Sequence, residues 1–512
     1  MSILDDLVDA VANRVLGRSD TALSSSRLPN LTPKGFKMTH GGFASWVEPP
    51  SEFSATSAQT AGMWPFCVGT SSALIGAPLG RNIYNGSVVC CDPMSLFIRG
   101  IISAPSAMII ALNGRGKSSL IVRMCLFLAD LGYIPMVLSD LKPDYVGMVQ
   151  HLGGSVIQVG PGFGSVNPLD SGPLRDRFHE LPPELQKELA AEIQTRRVST
   201  VRGLLELTRG RPLDVDSQEP VVLSMAVREA AAVAEGEGRE PVIQDLIDVI
   251  QSAPKSMQAL TLSDNEDAFR LETKSLVKGL IGLLEDGPFG NTFSRETTVE
   301  MPVDKAVCFD VSAVDISDSM MRAAIQTVCW AYGQSAASAA KTLGEAGLAP
   351  ERHHFMVMDE MWQILEASEL LVHQINAVTR LNRTKGLGQI LCTHSMKDLT
   401  LSTDKLSKIA RGFMERSSVK IFGGLARNEM PLLEEVMPLS EREKQLLVEW
   451  SAEGATDPRT GKTLPPPGRG RFMIKLGENV AGEPLSLNLT ATEKRIHDTN
   501  SAWAAAMAGA AR

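Results

Sequence analysis

From Ala111 to Ser118 the sequence reads Ala-Leu-Asn-Gly-Arg-Gly-Lys-Ser, which matches the Walker A spacing except that alanine replaces the opening glycine. Gly114 and Gly116 let the backbone bend so that amides of Asn113, Gly114, Arg115, Gly116 and Ser119 converge on phosphate oxygens. Lys117 would reach the β- and γ-phosphates of ATP, and the Ser118 hydroxyl would hold Mg2+. The departure at Ala111 falls where the chain shapes a turn and offers no side chain to the ligand.

A second group supplies acids. The apolar run His354-Phe-Met-Val-Met358 closes on Asp359 and Glu360. Alone, such a run is an ordinary strand end. Downstream of a phosphate loop it has the Walker B form, with Asp359 holding Mg2+ through water and Glu360 orienting or deprotonating the attacking water. A third segment, Gln389-Ile-Leu-Cys-Thr393-His394-Ser395, ends an apolar run in small polar residues. By itself His394 reads as a loop histidine. Its place after the acidic strand makes it a candidate sensor of the γ-phosphate.

These groups must be positioned by regular elements. Ala107 to Ala111 is a short continuous apolar run of buried-strand type, and Ser118 to Leu131 has helical spacing through Leu120, Ile121, Met124 and Leu128. Tyr133 to Ser139 reads as the next strand, closing on Asp140. Strand, helix and strand at this spacing form a βαβ unit, which implies a parallel sheet covered on both faces. The expected fold class is α/β, a RecA-like P-loop sheet with a mainly helical insertion and a small N-terminal β-rich region.

The chain is divided accordingly. An amphipathic helix occupies residues 1–20 and an extended arm or linker residues 21–63, followed by a small β-rich region over 64–100. Core segments over 101–170 and 291–440 flank a charged, Ala/Leu-rich helical insertion over 171–290, and 441–512 form a C-terminal segment. Within the second core segment, strands are expected at Ala306–Asp310, Gly388–Thr393 and Ser418–Phe422, with helices at Ser319–Ala340 and Glu366–Arg380.

Composition excludes some classes. With 59 acidic against 50 basic residues the net charge is −9, so no strongly basic field points to nucleic acid. A few pore cations in a ring would escape that test. The seven cysteines include no C-x-x-C repeat, and several lie in apolar runs, which fits reduced core cysteines better than metal ligands. No stretch approaches the roughly 20 apolar residues that span a bilayer. The N-terminal helical pattern carries Asp5, Asp6 and Asp9 on its polar face, which anionic lipids repel. Direct membrane insertion is not expected. The expected location is cytoplasmic, at the inner face of the cell membrane only through partners.

The motif order resembles the ATPases of conjugative type IV secretion systems, within the FtsK–HerA superfamily of hexameric motors. The resemblance is carried by the loop at 111–118, Asp140, Leu152-Gly-Gly-Ser-Val-Ile-Gln-Val159, Asn167-Pro-Leu169, Phe289-Gly-Asn-Thr-Phe-Ser294 and Phe309-Asp-Val311. It continues through Asp359-Glu-Met-Trp362 and Thr393-His-Ser395, over roughly residues 80 to 440. The family's Asp-Glu-x-Trp is reproduced, whereas its Thr-Gln-Ser sensor carries His394 in place of Gln. Only about 100 residues precede the loop, so the family's large N-terminal domain is expected to be much reduced.

The resemblance implies a homo-hexamer powering a secretion or conjugation machine together with membrane-associated components, its cargo DNA, protein or pilus subunits. It also implies an arginine that reaches a neighbour's γ-phosphate, for which Arg380 and Arg383 are the candidates, with Arg427 third. Two other readings remain open, a double-stranded DNA translocase and an ATP-dependent scaffold with little hydrolysis. Glu360 argues against the scaffold.

Overall fold

The computed structural model describes residues 73–173, 175–213, 218–315, 317–367, 371–372, 376, 386–454, 466–477 and 480–497, and the backbone of 31–32 and 35–36. The chain divides into two units, Met1–Gly69 and Thr70–Arg512. In the first, β1 (Leu31–Thr32) pairs antiparallel with β2 (Gly35–Phe36). The helix expected over 1–20 and the Ala-rich C-terminus lie outside the described residues.

The second unit is built on one eleven-stranded sheet. Its parallel part runs, in spatial order, β11 (Val419–Phe422), β5 (Ser106–Ile110), β10 (Gly388–Thr393), β9 (His354–Met358), β6 (Ile134–Asp140), β8 (Val307–Asp310) and β7 (Ser155–Gln158). An antiparallel flank continues from β11 through β12 (Arg471–Lys475), β13 (Glu483–Leu487) and β3 (Pro78–Asn82) to β4 (Val88–Cys90). The P-loop and acidic strands, β5 and β9, are therefore separated by β10 rather than adjacent.

Strands β5, β9 and β10 are buried at every position, as expected for central parallel strands covered on both faces. Alternation along β5 divides its side chains between two cores. Ala107 and Ile109 join the cluster with α1 (Pro93–Ile98) and α2 (Lys117–Asp130). Met108 and Ile110 join the larger cluster with the insertion and the long helix α3 (Ser319–Glu345).

The region between β7 and β8 is helical: α4 (Pro183–Arg209), α5 (Glu219–Gly236), α6 (Ile243–Gln251), α7 (Lys255–Thr261) and α8 (Glu266–Ile281). Its apolar faces are continuous with the core, and α4 packs along α3. The helix expected over Glu366–Arg380 starts earlier, at Trp362, and is described only as far as Ala367. Among the described residues, no helix is long and apolar enough to cross a membrane.

Candidate active site

The register of the parallel strands brings the three motifs to one edge. Ile110 pairs with Thr393 across β5 and β10, while Leu391 pairs with Met358 across β10 and β9. The residues following each strand therefore emerge side by side at the carboxyl ends, where open α/β sheets place their ligands. The backbone fastens them there: Ala111 N donates to Thr393 O (3.4 Å), Leu112 N to Gly424 O (3.1 Å), and Met361 N to Cys392 O (3.1 Å).

Lys117, His394 and Glu360 form a hydrogen-bonded line across the three strands. The Lys117 ammonium donates to Ala111 O at 2.7 Å and lies 2.6 Å from His394 Nδ1. The other ring nitrogen, Nε2, lies 2.5 Å from Glu360 Oε2. A neutral imidazole protonated on Nε2 satisfies both contacts, accepting from the lysine and donating to the carboxylate. Trp362 Nε1 donates to the same Oε2 (2.5 Å), and Lys142 Nζ donates to Oε1 (3.1 Å).

Burial pushes the Glu360 carboxyl up, but the His394 hydrogen bond, with the Lys142 charge and the Trp362 hydrogen bond, outweighs it and holds the carboxyl below its usual range. The carboxylate is ionised throughout the physiological range. Its backbone lies in the left-handed region at φ 53°, a conformation that a non-glycine residue keeps only where its surroundings enforce it. Here the Asp359 carboxylate accepts from Glu360 N at 2.8 Å, and three side-chain donors fix the carboxylate beyond.

A second cluster lies beside it. Ser118 Oγ donates to Asp144 Oδ2 (2.8 Å), and Tyr145 OH donates to Asp359 Oδ2 (2.6 Å). Asp140, at the end of β6, accepts from the amides of Asp144 and Tyr145 at 3.0 and 2.7 Å and so shapes the turn that presents them. Burial raises Asp140 to about 7, against the pull of those two amides. The Asp144 carboxyl is also raised, first by burial, while the Ser118 hydroxyl pulls it down. Sequence reasoning missed Asp144 and Tyr145. The available signal was the acid-rich run Asp140-Leu-Lys-Pro-Asp144 closing a buried strand.

The loop itself is gripped from the C-terminal segment. Arg115 is buried, and its guanidinium donates to Ser451 O (2.7 Å) and Ala452 O (3.1 Å) and pairs with Glu453. In return, Gly470 N donates to Arg115 O at 2.9 Å. Of Arg115, only the backbone is left facing the loop interior. Gly114 and Gly116 have φ of 72° and 95°, the left-handed bends that their glycine identity anticipated. Arg380 and Arg383 lie outside the described residues; Arg427 is exposed in a short turn after β11.

A nucleotide requires unengaged donors with open space beside them. The amides from Asn113 to Ser119 make no hydrogen bond to a described residue, and a Cβ built on Gly114 would meet nothing within 4 Å. Among the described residues no group of three or more His, Cys, Asp or Glu is arranged to hold a metal by itself. Mg2+ in nucleotide sites takes one or two carboxylates and completes its shell with water and phosphate, and the carboxylates of Asp359 and Asp144 beside the Ser118 hydroxyl are donors of that chemistry.

No family model matches the chain, and no curated protein matches it in sequence. Its structure is similar to VirB4 of Thermoanaerobacter pseudethanolicus, with TM-score 0.57 at 17% identity over 83% of this chain and 99% of that one. A weaker likeness, TM-score 0.44 at 13% identity over 76% of this chain and 86% of the other, is found to the plasmid coupling protein TrwB in complex with the non-hydrolysable ATP analogue ADPNP. An unbound form of the conjugative coupling protein TrwBdeltaN70 gives TM-score 0.45 at 12% identity, covering 81% and 96%. The P-loop fold that the motifs' resemblance to type IV secretion ATPases implied is therefore the fold of this chain, shared with nearly all of the solved VirB4 chain.

Proposed function

We propose that this chain is the subunit of an ATP-hydrolysing motor that energises a type IV secretion- or conjugation-like machine. The observation that carries the reading is the line Lys117–His394–Glu360, which joins the phosphate loop to the acidic strand through the strand between them. The loop amides and Lys117 bind the triphosphate, and Ser118 and Asp359, with Asp144, hold Mg2+. When bound, that ion neutralises phosphate charge. Glu360 orients the attacking water, with its carboxylate ionised and aimed by His394 and Trp362.

The assembly is a homo-hexamer with composite sites, in which Arg380 or Arg383 of one copy reaches the neighbouring nucleotide. Membrane-associated secretion or conjugation components are the partners and supply the location at the inner face of the membrane. Support comes from the motif order and from the fold shared with VirB4.

Phosphate release by the purified chain tests the reading. Lys117→Ala should abolish nucleotide binding, and Glu360→Gln should keep binding while lowering turnover at least ~100-fold. Unchanged release in both variants would remove the motor from consideration. Mass measurement with the ATP analogue should show six copies.

A further inference from the structure

We propose that Lys142 is a positioning residue that restrains Glu360, a cationic brake on the carboxylate that aims the attacking water. The proposal rests on the ATPase reading of the site. Its basis is an asymmetry between the two oxygens of one side chain. Oε2 takes two half-buried donors, His394 Nε2 and Trp362 Nε1, each at 2.5 Å. Oε1 takes Lys142 Nζ at 3.1 Å, its one donor among the described residues. A carboxylate must offer an oxygen to receive a proton or a hydrogen bond from water. Oε2 is filled by the two donors that fix the side chain, so Oε1 is the oxygen that works, and Lys142 takes one of its two acceptor positions and lowers its basicity.

The two attachments also differ in permanence. The Glu360 side chain is 10% exposed and that of His394 14%, so their bond is sheltered from solvent. The Lys142 side chain is 56% exposed, standing on the turn between β6 and Asp144. A half-solvated ammonium holds a carboxylate weakly and reversibly, shifting such equilibria by only a few-fold. Pro143 follows Lys142 and restricts its backbone, which lowers the entropic cost of holding the amine within reach. The strained backbone of Glu360 adds to the effect: with Oε1 released, fewer bonds hold the residue at φ 53°. An anionic group that competes for the exposed ammonium thus frees Oε1 without disturbing Oε2.

The test is steady-state hydrolysis of MgATP by the full chain carrying Lys142→Met, which keeps the stem and removes the charge, beside Lys142→Arg. The expected result is kcat raised about 3- to 5-fold in Lys142→Met with KM unchanged, and a wild-type kcat in Lys142→Arg. A merely structural lysine would not separate kcat from KM in this way. An unchanged kcat in Lys142→Met overturns the proposal. So does a lower one, which would instead make Lys142 a stabiliser of transition-state charge. Should Lys142→Met lose its thermal transition, Lys142→Gln serves as the second variant under the same criteria. Lys117→Ala, run alongside, keeps the two readings apart: if it leaves phosphate release intact, the ATPase reading fails, whereas its loss with no effect of Lys142→Met sinks only the brake.

Discussion

Ala111 and Gly423 are a matched pair: a Cβ built on residue 423 would stand 2.5 Å from the methyl of Ala111. The alanine that departs from the Walker A pattern is thus housed by a glycine just beyond β11. There, Gly423 N donates to Ile110 O at 2.9 Å and keeps the two backbones close. The extra methyl on the loop is accommodated by the one missing on its neighbour.

Gly423→Ala should therefore force two methyls into space for one. A destabilisation of about 1–3 kcal/mol is expected, with weaker binding of a fluorescent ATP analogue because the loop must shift. Ala111→Gly in the same background should restore both. If the double variant is no better than Gly423→Ala alone, the two positions are not coupled.

His394 joins Lys117 to Glu360, so the two ends should respond differently to its replacement. His394→Ala breaks both contacts and should lower turnover about 100-fold with nucleotide affinity largely retained. His394→Gln keeps a donor for Glu360, as the resembled family's Thr-Gln-Ser does, and should keep a rate much nearer wild type. Equal rates in the two variants would show that the donor to Glu360 is not what matters.

Arg115 ties the loop to the C-terminal segment through Ser451 and Ala452. Arg115→Ala strands those two carbonyls and should cost about 2 kcal/mol of stability. The chain around Ser451 and Ala452 should then be cut faster in limited proteolysis. An unchanged cleavage pattern would count against the tie.

His354 opens β9 at the far end of that strand from the site. Burial, with the charges of His353 and Arg352, lowers its pKa to about 4, despite the bond from Nε2–H to Val303 O at 3.1 Å. The unfolded chain binds a proton here below about 6.5 and the folded chain only below about 4. The folded pKa being depressed, stability is present above pH 6.5 and is lost as pH falls from 6.5 to 4, by roughly 1.4 kcal/mol per unit. His354→Gln should flatten that slope in denaturation curves measured across the window. A slope as steep as wild type would assign the acid sensitivity to other groups.

The sequence by itself determined the phosphate loop, the two acids, the strands that carry them and the helical character of the insertion. All are local. Gly114 and Gly116 are written where the backbone needs positive φ, and β5 is apolar from Ala107 to Ile110 because both its faces are covered. Tertiary structure alone decided that β10 lies between β5 and β9, which makes His394 the bridge from Lys117, 277 residues away in sequence. It also decided that Asp144 meets Ser118, and that the Arg115 side chain turns to a carbonyl 337 residues distant, off the loop. Spacing records what a residue does to its own turn of chain. Which strand becomes its neighbour is set by the burial of whole faces, and that is a property of the assembled sheet.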